Sequence, residues 1–214
     1  MKIRSSQLGK IMTNPTKKEI ENGEVLSKGA KTYLRQIAKE RFFKYQSEID
    51  SKYLDKGNQS EADSIALYNA VKFSSFKKNT ERKSNDFLTG ECDVETNSSI
   101  IDVKSCWSLE TFPATIDEAI QKPNASMYEW QGRAYMMLYD KDFFDLAYTI
   151  VSTPIELLKD WDNHSIHLVD HIAPEHRLTV VRYNRDKSIE DDIESKCISA
   201  IEYVNEVMNQ IQNK

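Results

Sequence analysis

The sequence predicts an α/β domain, a mixed β-sheet flanked by helices. Three observations carry that expectation. Helical periodicity dominates both ends of the chain. Residues 86–105 read as short strands and tight turns, and strand patterns return at 146–151 and 178–183. Helical patterns alternate with the later strands. The 214 residues suffice for one good core, and no linker, repeat or low-complexity tract divides them. Residues 1–214 are therefore read as a single domain.

Taken in order, Thr16 to Gly23 reads as a short helix stopped by its glycine. Ser27 to Ser47 reads as a long helix, with Tyr33, Ile37, Ala38 and Phe42 at helical spacing. Lys52 to Phe73 reads as one further helix, with Ala62, Ile65, Ala66 and Tyr68 as its buried stripe. Asp86–Gly90 is a strand and turn, Glu91–Val94 a second strand, Thr96–Ser99 a polar hairpin connection and Ile100–Ser105 a third strand. Ser126–Tyr139 is a strong helix and Leu146–Val151 a buried strand. Pro154–Trp161 is read as helical, Leu178–Tyr183 as a strand and Ile189–Ile211 as a long acidic helix.

The formal net charge is −5, but it is unevenly spread: residues 1–110 sum to +3 and the remainder to −8. A basic track in the first half therefore survives the acidic total. Three cysteines, Cys92, Cys106 and Cys197, lie far apart, so neither a disulfide framework nor a cysteine-based zinc site is expected. A reducing, intracellular setting fits that usage. No apolar run reaches membrane-spanning length, and the first residues lack the apolar stretch of a signal peptide.

The chemistry concentrates at Asp93 and at Asp102-Val103-Lys104. Residues two apart on a strand share a face, so Asp102 and Lys104 project together and Ile101 and Val103 project oppositely. A hairpin would bring Asp93 beside Asp102. Two carboxylates and an ammonium at one strand end suit magnesium and a phosphoryl group. Lys104 would orient or activate a water, or neutralise transition-state charge. An acidic-x-Lys triplet arises about once or twice by chance in a chain of this size. Alone, it is better explained by an exposed cross-strand salt bridge, with Asp93 as a turn residue.

Two further features bear on that choice. Glu61, in Lys56-Gly57-Asn58-Gln59-Ser60-Glu61, would offer a third carboxylate, or would simply complement a helix dipole. Gln131 and Tyr135 lie four apart on one helix face, and a Gln inside an apolar stripe needs a partner. The stretch Lys72, Lys77, Lys78, Arg82, Lys83, with Phe73 and Phe76, is a candidate DNA track or a solvated loop. Lys31, Arg35 and Lys39 form a second basic face, better explained by solvation. His164, His167, His171 and His176 imitate a metal cluster, but their spacing matches no zinc pattern.

In order, Glu61, Asp93, Asp102-x-Lys104 and Gln131-x-x-x-Tyr135 resemble the RecB-like branch of the PD-(D/E)XK nucleases. Ser5-Ser6-Gln7-Leu8-Gly9-Lys10-Ile11-Met12-Thr13 resembles the opening motif of the lambda-exonuclease-like group, the YqaJ-type viral recombinases. Thr89-Gly90-Glu91-Cys92-Asp93, Asp102 to Ser108 and Arg182-Tyr183-Asn184-Arg185 resemble its later motifs, so the likeness covers most of the chain. It implies a restriction-endonuclease-like core and an exonuclease working 5′ to 3′ on linear double-stranded DNA. The product would be a 3′ single strand for phage-type recombination in a bacterial cytoplasm.

By the same resemblance, two Mg2+ ions, with Mn2+ as a substitute, would be held by Glu61, Asp93, Asp102 and the Val103 carbonyl. Lys104 would be the catalytic lysine, and Gln131 would lie near the phosphates. Arg4, Ser5, Ser6 and Gln7, with Gln131 and Tyr135, would face DNA and its 5′ phosphate. Partners would be duplex DNA ends, a single-strand annealing protein and two further copies in a homotrimer. Departures are Asp102 in place of Glu, Cys92 in place of Pro, Gln7 at the place of an arginine, and Glu91 in place of a phosphate-contacting Ser.

Two rival readings use the same residues. One is a structure-specific endonuclease or a RecB-type module serving a helicase. The other is a non-catalytic DNA-end-binding protein, against which the intact Asp93, Asp102 and Lys104 weigh. An iron–sulfur variant would need four cysteines.

Overall fold

The computed structural model describes residues 1–46 and 52–214. Ile3–Arg4 forms β1, and Leu8–Ile11 forms α1 after a tight turn at Ser5–Gln7. Thr16 caps α2 (Lys17–Glu21) through a reciprocal bond with Glu19, and Gly23 at φ 77° ends it. Ser27 caps α3, Lys28–Phe42. This helix ends earlier than its periodicity predicts. Lys44 turns left-handed at φ 54°, and the Tyr45 amide reaches back to the Glu40 carbonyl. The last residue of the expected span, Ser47, lies outside the described residues.

The single helix expected from Lys52 to Phe73 is two: α4 (Lys52–Gln59) and α5 (Glu61–Lys72), broken at Ser60. The buried face of α5 is Ser64, Ile65, Leu67 and Tyr68; Ala62 and Ala66 face solvent, contrary to the predicted stripe. Side-chain size explains the difference, since the larger apolar groups take the sheet-facing side.

Strands β2 (Lys83–Ser84), β3 (Leu88–Gly90), β4 (Val94–Glu95) and β5 (Ser99–Ser105) follow, then α6 (Ile116–Gln121) and α7 (Ala125–Tyr139). The chain closes with β6 (Phe143–Thr149), β7 (Leu178–Asn184) and α8 (Lys187–Gln212). Pro154–Trp161 is not a helix. Only a turn at Ile155–Leu157 forms, and Asp162 binds the Lys159 amide in a local turn that competes with helix.

The strands build two mixed sheets rather than one. The larger has the order β4-β5-β6-β7, with β5 and β6 parallel and both outer pairs antiparallel. The smaller has the order β1-β3-β2, with β1 parallel to β3. Helix α7 lies between them. Its Tyr135, Met136 and Tyr139 pack on Ile100, Phe144, Leu146 and Tyr148 of the large sheet. Its Ala134 joins a second core made by Ile3, Leu8, Leu88 and the helix pair α3/α8. The opposite face of the large sheet, Ile101, Val103 and Ala147, takes Ile65 and Tyr68 of α5.

Gly132 lets α7 press on the sheet, because a Cβ there would fall 2.0 Å from the Phe144 ring. Lys31 and Arg35 do not form a free basic face. Both lie over the Tyr203 ring of α8, and Lys31 pairs with Glu24. All three cysteines are free and buried, Cys92 beside β4, Cys106 past the end of β5 and Cys197 between α3 and α8.

Candidate active site

The antiparallel register Val94↔Ile101 and Glu95↔Ile100 places Asp93, just before β4, beside the middle of β5. Asp93 Oδ2 accepts a 2.7 Å hydrogen bond from the Val103 amide. Asp102 and Lys104 project from one face, as strand alternation requires, and Lys104 Nζ lies 2.6 Å from Asp102 Oδ2. That approach makes an ion pair at a carboxylate only 1% exposed, so Lys104 offsets the charge of an almost fully buried Asp102.

Burial pushes the Asp93 carboxyl well above the usual carboxylate range, and the charge of Asp102 adds to the effect against Lys104. Burial alone would lower the Lys104 ammonium; the charges of Asp102 and Asp93 outweigh it, and the net shift is upward. The Tyr128 ring lies 4.9 Å beneath that ammonium. Glu61 starts α5 across the cleft. Its carboxylate is held 2.5 Å from Lys78 Nζ, yet it still raises Asp93 through space. Among the described residues, no three His, Cys, Asp or Glu side chains gather into one metal cluster. The two aspartates are together, and Glu61 is turned towards Lys78.

The cleft has a volume of about 310 Å³, and Glu61, Val103, Lys104, Ser105 and Tyr128 help to line it. The residues fit a divalent cation on chemical grounds. Two adjoining carboxylates, Asp102 buried and Asp93 half-buried, form a hard oxygen-donor set whose combined charge the single Lys104 ammonium does not balance.

The remaining expected residues are near but not all at the cleft. Gln131 donates 2.8 Å to the Tyr135 hydroxyl, which supplies the partner an amide in an apolar stripe needs. Burial raises the Tyr135 hydroxyl, and the charge of Asp102 acts on it as well. Ser5 is buried and donates to the Thr89 carbonyl at 3.2 Å; Gly90 makes this possible, since a Cβ there would fall 2.2 Å from Ser5 Oγ and 2.7 Å from Tyr135. The opening motif and the α7 residues thus meet over β3. Gln7 Oε1 accepts from the Arg4 amide at 3.3 Å, while Arg4 and Ser6 are exposed. Glu91 is screened by Arg82 at 3.3 Å.

Among the described residues the histidines gather into no metal site. His167 is buried, with Nδ1 3.1 Å from the Trp107 carbonyl. Trp107 itself packs edge-on against Tyr53 and His167, and Trp130 fills the α3/α8 core.

Sequence reasoning missed Lys56. This side chain, 1% exposed, donates from Nζ to the carbonyls of Cys106 (2.7 Å), Trp107 (3.0 Å) and Val151 (3.0 Å) and to Thr153 Oγ1 (2.8 Å). It ties α4 to the segments just beyond β5 and β6, five residues before Glu61. Nothing in the local sequence marks it, because its acceptors are distant main-chain groups.

No protein-family model matches the sequence, and no curated protein matches it. Among solved structures, the chain is similar to a phage-related exonuclease from Haemophilus somnus 129PT. That pair has 33% identity and a TM-score of 0.91, covering 99% of this chain and 96% of the other. It is also similar to the alkaline exonuclease LHK-Exo from Laribacter hongkongensis, at 15% identity and a TM-score of 0.67, covering 99% and 92%. The complex of that enzyme with dAMP gives a TM-score of 0.68. At 15% identity the LHK-Exo likeness speaks for the fold alone.

Proposed function

The chain belongs to the lambda-exonuclease-like, YqaJ-type family of PD-(D/E)XK nucleases, and on that premise we propose that it is a magnesium-dependent 5′ to 3′ exonuclease of linear double-stranded DNA. The observation that carries the reading is the Asp93–Asp102 carboxylate pair, Asp102 buried and Asp93 half-buried, with Lys104 2.6 Å from Asp102 and lining the adjoining cleft. Asp93, Asp102, Glu61 and the Val103 carbonyl are the groups that would hold Mg2+ or Mn2+. A divalent ion there would supply charge for the scissile phosphate and a more acidic water.

The chain's own residues supply the rest. Val103 fixes Asp93 through its amide, so the carboxylate is oriented before substrate arrives. Lys104 lies at the cleft and places a positive charge where a phosphoryl oxygen becomes more negative. Gln131, steadied by its hydrogen bond to Tyr135, would offer its amide to the phosphates. Glu61, now paired with Lys78, would have to release it to join the donor set, which would leave Lys78 for the DNA backbone. Arg4, Ser6 and Gln7 are the residues proposed for the 5′ phosphate, at the meeting of the opening turn with β3 and α7.

The reading extends to recombination, to an annealing protein that receives the 3′ strand, and to a homotrimer around duplex DNA. Family membership supports these, and sedimentation with and without DNA tests the trimer. The activity is tested by digesting a linear duplex, labelled at one 5′ or one 3′ end, beside a closed circle. The expected result is magnesium-dependent loss of the 5′ label as mononucleotides, an intact circle and an inactive Lys104→Ala variant. A cut circle moves the assignment to an endonuclease. No cleavage with any divalent ion overturns it.

A further inference from the structure

Helix α5 ends at Lys72, and Phe73 follows in the left-handed region at φ 51°. The Ser74 amide reaches back to the Asn69 carbonyl at 3.0 Å, the closure that helices usually make with glycine at this position. Yet Phe73 is 97% exposed. An aromatic ring there buries nothing, and its backbone is strained where glycine would not be. The fold gains nothing from this side chain.

The segment that follows is well held. Asn69 accepts from the Phe76 amide at 3.0 Å and from the Ser74 hydroxyl at 2.8 Å, and donates to the Phe76 carbonyl at 2.9 Å. The Asn79 amide then binds the Asp93 carbonyl at 2.7 Å, fastening the segment to the strand edge of the candidate active site. Between Phe76–Asn79 and the hairpin turn 95–98 runs an open groove of about 720 Å³, closed at one side by Lys141.

The groove is basic. Lys77, Lys78 and Lys141 line it; Lys78 is paired with Glu61 of the cleft (2.5 Å), and the lining acid Glu95 is shared by Lys141 (2.9 Å) and Lys83 (3.3 Å), which leaves the lysines in excess. Its other polar groups, Asn79, Thr96, Asn97 and Ser98, are neutral. Phe76, 37% exposed, leans on Tyr68 and faces the groove. Lysines that follow a backbone beside exposed rings on which bases stack are the chemistry of single-strand binding.

We propose that Phe73 and the Phe76–Lys141 groove form a platform for unpaired DNA beside the cleft, with a base stacked on Phe73 and phosphates on Lys77 and Lys141. The platform rests on the nuclease reading for its substrate class, but its occupancy does not require cleavage. It would hold an unpaired stretch of substrate or product close to Asp93.

The experiment is binding of a fluorescent oligothymidylate of about 12 nucleotides in EDTA, which prevents metal-dependent cutting. Phe73→Gly should weaken binding about tenfold, the loss of one stacked base, while the melting temperature rises because glycine suits the backbone. An abasic oligomer of equal length should bind both proteins alike. Lys77→Gln with Lys141→Gln should lower the salt slope by about 0.7 per lysine. Photocrosslinking of 5-iodouracil in the same oligomer should mark the peptide carrying Phe73 and Phe76. Unchanged affinity in Phe73→Gly, or crosslinks confined to Tyr53 and Tyr128, would overturn the platform. If the wild-type chain cuts no DNA but still loses oligomer through Phe73→Gly, the nuclease assignment falls and the platform stands.

Discussion

Two lysines, Lys56 buried and Lys104 half-buried, divide the molecule into a region that is finished and one that is not. Lys56 places its ammonium among three carbonyls and a hydroxyl, none of them charged, each within 3.0 Å. Lys104 places its ammonium 2.6 Å from the Asp102 carboxylate with Asp93 close by, so one ammonium serves two carboxylates. The two lysines lie on neighbouring elements, Lys56 on α4 and Lys104 on β5. The difference is between complete satisfaction, which rigidifies, and incomplete satisfaction, which keeps charge available for a ligand.

Four experiments would break or sharpen that contrast. The largest effect is expected in Lys104→Ala, where the turnover of labelled duplex should fall about 1000-fold while circular dichroism reports an unchanged fold. Next is Lys56→Met, which strands several acceptors and should cost about 3 kcal/mol in urea unfolding. Assayed at a temperature where it remains folded, that variant should keep most of its kcat. A loss as deep as that of Lys104→Ala would erase the distinction between the two regions.

The third concerns pH. Burial pulls the Lys56 ammonium down to about 8 from its ordinary 10.5. Between those values the unfolded chain binds a proton that the folded chain has released. Stability should therefore rise with pH across that window, by at most about 1.4 kcal/mol per unit. Lys56→Met should flatten the rise relative to wild type; a parallel slope in both proteins would remove Lys56 as its origin. The smallest effect is expected in Asp93→Asn. A carboxyl whose pKa is raised by folding destabilises the fold once ionised. The amide should thus stabilise the metal-free protein by about 1 kcal/mol at neutral pH, by calorimetry. Added magnesium should raise the melting temperature of wild type and not of the variant.

The same contrast explains what the sequence made legible. Asp102 and Lys104 were readable because strand alternation is local: two residues apart means one face. Asp93 was readable because a short hairpin has few ways to close. Lys56 was not, since its partners lie about 50 and 95 residues downstream and are mostly main-chain atoms without residue identity. The division into two sheets was hidden for a related reason. β1, β2 and β4 have two residues each, too few to show an alternation. At Pro154–Trp161 a helical pattern was present, but a side-chain cap from Asp162 and the short span favoured turns. Glu61 lines the cleft beside Lys104, but its carboxylate rests on Lys78 rather than beside the aspartates, a pairing that no local pattern foretells.

The three buried thiols give the protein a set of internal clocks. Burial pushes Cys106 to about 11 and both Cys92 and Cys197 to about 12, so each reacts slowly until its surroundings open. Cys92 sits at the catalytic edge, Cys106 at the lysine anchor and Cys197 between the long helices. Their separate rates of alkylation would time the breathing of three regions in the unmodified chain, with no label introduced and no residue changed.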